Sequence, residues 1–469
     1  MPSVLGTQLL RGQASSPAIV ISDVTVIDVE RGTRVPRQTV VLDGNRILEL
    51  GDARSVRTPA GARVIDGRGG FLIPGLVDTH VHTVWSAGAT PDTLALFRRL
   101  LANGVTSIRE ASGSGREAEL VALRGRIERG ETVAPRVYVS GTASVKNVQR
   151  YGASDLRDLV RRLAAMHVDG IKVLHLTRDE TLAAIDEAHR VKLPVYGHTH
   201  VVGGAGMQRP DLPFGFTGYA MAAVRAGLTG MMHATSATPT PDWPQQPPAA
   251  SLTPETKAAQ FDESWTRWLE MWLTRSQRDE QALIDTMIVR GTWLEPTLIT
   301  DDVFAHPERY SPHEGEKQAG MTVREVWGIG GDTTLAPRRK VVMARIEGFV
   351  RRFNAQGGLV LAGTDMAPLP GFGLIDELAL LVEAGLTPAD ALRAATLHPA
   401  RSFGWSERIG AVNRGKLADL VLLDADPLTD IRAIGKIRAV FANGRVFSRA
   451  ALDSMLATRR LKSEVVRLQ

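Results

Sequence analysis

The stretch Phe71-Leu-Ile-Pro-Gly-Leu-Val-Asp-Thr-His-Val-His82 holds the key to the fold. Its apolar residues read as a buried strand, and it ends in two histidines one residue apart. Side chains alternate across the faces of a strand, so His80 and His82 point to the same side. Two imidazoles aimed at one point begin a metal site, because neutral imidazole is the commonest metal ligand. Downstream of the pair, short apolar strands alternate with longer helical stretches, the pattern of a parallel α/β fold. Strands are expected to end near Asp78, Arg109, Ser140, Leu174, Gly197, Met232, Thr297 and Ala362. Eight such units in ~300 residues fit a closed (β/α)8 barrel better than an open sheet.

On either side of this region the texture is different. Ala18-Ile-Val-Ile-Ser22, Thr25-Val-Ile-Asp28, Thr39-Val-Val-Leu42 and Arg46-Ile-Leu48 are short apolar runs, with a hairpin signal at Asp43-Gly44-Asn45. Asp419-Leu-Val-Leu-Leu423 and Ile437-Arg-Ala-Val-Phe441 repeat the style near the other end. We therefore expect residues 1–70 and 401–469 to build one small β-sandwich domain around a barrel of residues 71–400. Residues 237–290 are read as an insertion after the sixth strand. It opens with Thr238-Pro-Thr-Pro-Asp-Trp-Pro-Gln-Gln-Pro-Pro248 and continues with Trp265, Trp268 and Trp272 at helical spacing. Leaving the C-terminal end of a strand, where barrel active sites lie, it is a candidate lid. The tryptophan spacing by itself reads as a core-facing stripe.

Composition narrows the chemistry. At 469 residues the chain can bury a large core, and 56 basic against 51 acidic residues, dispersed along it, leave no nucleic-acid footprint. There is no cysteine, which excludes disulfides, thiolate metal sites and a cysteine nucleophile. No apolar run approaches the ~18 residues of a membrane span. Met1 to Ser16 lacks the apolar core of a signal peptide, so a cytoplasmic location is expected, with export after cleavage of a signal left open.

A metal site must then use histidine, carboxylate and lysine, and such residues recur at the expected strand ends. Lys172 lies in Asp169-Gly-Ile-Lys-Val173, His198 ends Pro194-Val-Tyr-Gly-His198, His233 ends Gly230-Met-Met-His233, and Asp365 closes Leu359-Val-Leu-Ala-Gly-Thr-Asp365. With the first pair they fall on strands one, four, five, six and eight, and nothing of the kind is read at strand seven. His200 repeats the two-residue spacing with His198 and is a candidate catalytic or substrate-contact residue. Arg109 and Tyr151, after strands two and three, are candidate substrate contacts. His175, His306, His313 and His398 have no constellation around them in the sequence.

With Pro74-Gly-Leu-Val-Asp-Thr-His-Val-His82, the five strand ends, Leu397-His-Pro-Ala400 and Gly415-Lys-Leu-Ala-Asp-Leu-Val421, the chain resembles the amidohydrolase superfamily in its binuclear-metal branch. Its style is nearest to imidazolonepropionase-like and Xaa-Pro or Xaa-Arg dipeptidase (prolidase-like) groups. The resemblance implies two divalent ions, zinc first, with manganese, cobalt or nickel as alternatives. It implies that His80, His82 and Asp365 hold one ion and His198 and His233 the other. Lys172 would bridge them as N6-carboxylysine, since an unmodified ammonium there would repel the ions. Asp365 would serve as general base toward a hydroxide shared by the two ions. The implied reaction is cleavage of an amide or peptide-like C–N bond, in an N-acyl amino acid, dipeptide or aryl amide. Lactone or ester hydrolysis and a one-metal cyclic-amidine hydrolase or deaminase are the alternatives. The one-metal reading wants a Glu three residues after the strand-five or strand-six histidine, where this chain has Val201 and Ser236. A small-molecule substrate and a homo-oligomer are expected, with neither nucleic acid nor membrane as partner.

Overall fold

A computed structural model of the chain describes residues 17–82, 91–113, 115–203, 209, 215–238, 266, 268–310, 335–365 and 371–457. The first strands are β1 (Ile19–Asp28), β2 (Thr33–Asp43), β3 (Arg46–Asp52), β4 (Arg63–Asp66) and β5 (Phe71–Pro74). β1 pairs antiparallel with β2, and its register breaks around Asp23, which has φ 53°. Ahead of that break β1 pairs with β4, and beyond it with β5. A strand bent by a bulge and shared between two neighbours turns a corner, the device by which one sheet wraps its own core.

The run from Phe71 to His82, read above as one strand, is two. β5 stays in the end sheet, and β6 (Leu76–Val81) starts the barrel. At the break the Gly75 N–H donates to the Asp419 carbonyl at 2.7 Å. A Cβ on Gly75 would lie 2.0 Å from Thr106 Oγ1, so a side chain has no room where the chain passes between layers.

From β6 the parallel staves follow in order: β7 (Val105–Glu110), β8 (Arg136–Ala143), β9 (Gly170–Val173) and β10 (Val195–Gly197). A hairpin of β11 (His200–Gly203) and β12 (Gly215–Gly218) stands beyond the fifth stave, and β13 (Gly230–Met232) and β14 (Trp293–Glu295) complete seven. Residues 359–365 supply the eighth. Leu361 N–H donates to Leu294 O at 2.8 Å on one side, and Asp365 N–H donates to His80 O at 2.9 Å on the other. The ring is closed, as the alternation of strands and helices predicts.

The end sheet is finished by β15 (Leu420–Leu423), β16 (Ile437–Ala442) and β17 (Arg445–Ser448), with β15 antiparallel to β5. Eight strands from both chain ends thus share one sheet. A buried ion pair, Arg136 Nε to Asp419 Oδ2 at 2.5 Å, ties it to the opening of the third stave. Trp268 and Trp272 are buried in the barrel's apolar core, with Trp272 edge-on to Phe349 at 6.4 Å. These two tryptophans therefore pack the core. The Pro-rich start of the insertion and Trp265 lie outside the described residues.

Candidate metal centre

The catalytic mouth is built from the C-terminal ends of the staves, and the backbone there is strained. His175, His233, Thr297 and Asp365 have φ of 54°, 62°, 48° and 51°. Left-handed backbone on residues other than glycine costs about 1–3 kcal/mol each and persists where surrounding contacts impose it.

Asp365 sits among three histidines. Its Oδ1 is 3.0 Å from His82 Nε2 and 3.6 Å from His80 Nε2, and its Oδ2 is 3.8 Å from His233 Nε2. Ligand atoms of His80, His233 and Asp365 lie within 4.8 Å of one another, close enough to share an ion. Lys172 Nζ is 3.2 Å from His80 Nε2, at the same point. His198 comes next, its ring centroid 4.8 Å from that of His233 and 5.4 Å from that of His200. The six residues read from strand ends therefore converge on one mouth.

Two of the histidines are oriented from behind. Glu295 Oε1 lies 2.7 Å from His80 Nδ1, and its other oxygen is ion-paired with Arg109, an arrangement in which an ionised carboxylate accepts from the ring. Thr297 Oγ1 lies 2.7 Å from His233 Nδ1, and the same hydroxyl donates to the Pro296 carbonyl at 2.8 Å. Both supports come from the seventh stave, which the sequence reading left empty. Leu294-Glu-Pro-Thr297 holds no histidine, so the signal there was a carboxylate at a strand end, and the sequence reading passed over it. Gly363 makes this packing feasible, because a Cβ there would lie 2.8 Å from both the Glu295 carboxyl carbon and His80 Cβ.

His198 is treated differently. Both of its ring nitrogens are buried with no hydrogen-bond partner among the described residues. An imidazole shut away from water with two bare nitrogens is costly unless a ligand completes it. A divalent cation is a partner for the lone pair of a neutral imidazole, and the rings of His175, His200 and His233 stand around this one. The donor set therefore fits a metal.

Electrostatics agree with that chemistry. Burial pushes His80 and His198 well below the ordinary imidazole range, His233 down to about 4, and His200 down to about 3. At neutral pH these rings keep their lone pairs. Burial also lowers Lys172 to about 8. It opposes charge on Asp365 too, yet attraction to the His80, His82 and His233 rings in their protonated forms and the hydrogen bond from His82 draw that carboxyl below the usual range.

Other candidates find different surroundings. Arg109 is wholly buried inside the barrel and ion-paired with Glu295, with its guanidinium over Tyr196 at 4.5 Å and Trp293 at 4.7 Å. Glu295 thus links Arg109 to His80, with Arg109 buried on the far side of that carboxylate. Tyr151 donates its hydroxyl to Glu117, whose other oxygen takes the Thr142 N–H at 3.2 Å. His200 Nδ1 is 3.2 Å from Ser236 Oγ, which orients the ring beside His198. His175, without a constellation in the sequence, has its ring edge-on to His198 at 5.4 Å. His398 binds the Val360 carbonyl at 2.9 Å, and His306 the Asp302 carboxylate at 2.7 Å, both as structural contacts. His313 lies outside the described residues.

Comparison with known proteins adds independent findings. Residues 278–447 match the amidohydrolase family. The imidazolonepropionase of Anaeromyxobacter dehalogenans is 26% identical over 471 residues, spanning 91% of this chain and 94% of that protein. The imidazolonepropionase of Thermoplasma volcanium is 34% identical over 133 residues, which is 27% of this chain and 33% of that one. Among solved structures, a Xaa-Pro dipeptidase with bound methionine in its active site superposes with a TM-score of 0.61 and 20% identity, over 92% of this chain and 100% of its own. Molinate hydrolase does so with a TM-score of 0.65 and 18% identity, over 96% and 99%. At such identities the structural likeness bears on the fold alone.

Proposed function

The chain belongs to the amidohydrolase superfamily and is an enzyme; from that premise we propose that it cleaves an amide or peptide-like C–N bond with two divalent ions. The observation that carries this reading is the convergence of four histidines, Asp365 and Lys172 at one mouth, with both nitrogens of His198 buried and without a hydrogen-bond partner among the described residues. His80, His82 and Asp365 would hold one ion and His198 and His233 the other, with zinc the first expectation. Ions held there would polarise the scissile carbonyl and lower the pKa of a water they share. The chain's own residues manage the rest. Asp365, kept ionised, takes the proton of the attacking water on a carboxylate oxygen and passes it to the leaving nitrogen. Lys172, as the N6-carboxylated side chain, would replace a cation pressed against His80 with an anion able to bridge the ions. N-acyl amino acids, dipeptides and aryl amides are the proposed substrates.

A one-metal cyclic-amidine hydrolase is the second reading, favoured by the near full-length match to imidazolonepropionase. Against it, Ser236 stands where an acidic proton donor is wanted, and Lys172 would have no bridging role. Elemental analysis separates the two: we expect about two ions per chain, falling to about one in Lys172→Ala. Small carboxylic acids added to that variant should restore part of its turnover. One ion in the wild type, or full activity in Lys172→Ala, would rule out the bridged pair. A folded, active, metal-free protein would rule out both readings.

A further inference from the structure

We infer that Glu295 and Arg109 are positioning residues for this centre: Glu295 keeps the proton of His80 on Nδ1 so that the Nε2 lone pair faces the cavity, and Arg109 holds Glu295 in place. The inference rests on the metal-centre reading and adds residues that the strand-end pattern does not contain.

Four staves contribute to the arrangement. His80 comes from β6, Arg109 from β7, Tyr196 from β10, and Trp293 with Glu295 from β14. Glu295 is fully buried and uses both oxygens, one for His80 Nδ1 at 2.7 Å and the other for Arg109. Arg109 cannot leave this position. Its guanidinium is held against Tyr196, Trp293 and Phe403, with ring centroids at 4.5, 4.7 and 5.6 Å. Its Nε and Nη1 have no hydrogen-bond acceptor among the described residues, so Glu295 and the ring faces carry its charge. Such an ion pair could be mere barrel filling if it ended at Arg109 and Glu295. It continues instead to His80, whose remaining nitrogen is the one facing Asp365 and Lys172. A carboxylate behind a ligating histidine sets its tautomer, its ring angle and its basicity toward a metal.

The test needs both a variant and a measurement on the intact wild type. Glu295→Met alone would strand Arg109 as a buried unpaired cation, so it is combined with Arg109→Met, which replaces the pair by apolar side chains of similar length. In chelator competition with zinc, the double variant should bind about 10–100-fold more weakly than the wild type, while its metal-free form still folds cooperatively, with an unfolding temperature lowered by the buried His80 N–H that has lost its acceptor. In metal-free wild-type protein labelled with 15N-histidine, the His80 resonance, assigned by its loss in His80→Gln, should report a proton on Nδ1. Unchanged zinc affinity in a folded double variant, or a bare Nδ1 in the wild type, would overturn the inference. If the double variant does not fold, the wild-type resonance decides alone. A wild type that binds no zinc would defeat the metal reading, and the Nδ1 resonance would still report on the contact with Glu295.

Discussion

His80 and His198 are the same side chain on two staves of one barrel, and the protein holds them in opposite ways. His80 is bound at Nδ1 by Glu295 and faces Asp365 and Lys172 with Nε2. His198 has ring contacts on three sides and, among the described residues, no hydrogen bond at either nitrogen. His233 belongs with His80, since Thr297 takes its Nδ1. The difference teaches which histidines are oriented by hydrogen bonds and which by ring packing. On the strand-one, strand-six and strand-eight side, hydrogen bonds set each ring before any ion arrives. On the strand-five side, among the described residues, ring packing against His175, His200 and His233 does so.

The largest expected effect lies on the organised side. Asp365→Asn keeps the shape of the group between His80, His82 and His233 and removes its basicity. We expect kcat to fall by ~10²–10⁴-fold with metal content retained. A nearly normal kcat would move the proton's acceptor elsewhere, with His200 the next group to try.

A second experiment contrasts the two histidines directly in metal-free protein. His80→Phe leaves Glu295 Oε1 buried without its donor, and should cost about 1–3 kcal/mol of stability. His198→Phe exchanges an unpartnered imidazole for a ring of similar size with no polar atoms to desolvate, and should cost nothing or raise the unfolding temperature. Equal losses in denaturant titrations would mean that His198 has a hydrogen-bond partner in solution and that the contrast is false.

The smallest effect is expected at Thr297→Val. Valine keeps the β-branched shape at this left-handed position and removes the hydroxyl that meets His233 Nδ1 and donates to the Pro296 carbonyl. A loss of about 0.5–1.5 kcal/mol in metal-free stability, with weaker ion binding, is the expected outcome. If neither changes, His233 belongs with His198 rather than with His80.

Much of the site is legible one residue at a time. His80, His82, Lys172, His198, His233 and Asp365 each end a short apolar run, and parallel barrel topology forces such ends to one side. Glu295 and Thr297 are less visible, because a glutamate and a threonine beside Pro296 look like an ordinary strand exit. His175 is hidden for another reason: its ring reaches His198 only because its backbone adopts φ 54° just past the fourth stave. Arg109 misleads, since a charged residue at a strand end suggests solvent or substrate until the aromatic rings around it are in place.

By itself the sequence determined the barrel, the shared end sheet and which histidines, lysine and aspartate stand at the strand ends, because these follow from local patterning: alternating apolar runs, their lengths, and the residue that ends each one. Only the tertiary structure decided that the Phe71–His82 run breaks at Gly75, that Arg109 faces inward, and that the seventh stave orients two of the histidines. Those outcomes depend on contacts between staves far apart in the chain, such as Glu295 to His80, 215 positions away. Such contacts exist only after the ring closes, when burial makes a carboxylate, an arginine and an imidazole satisfy one another.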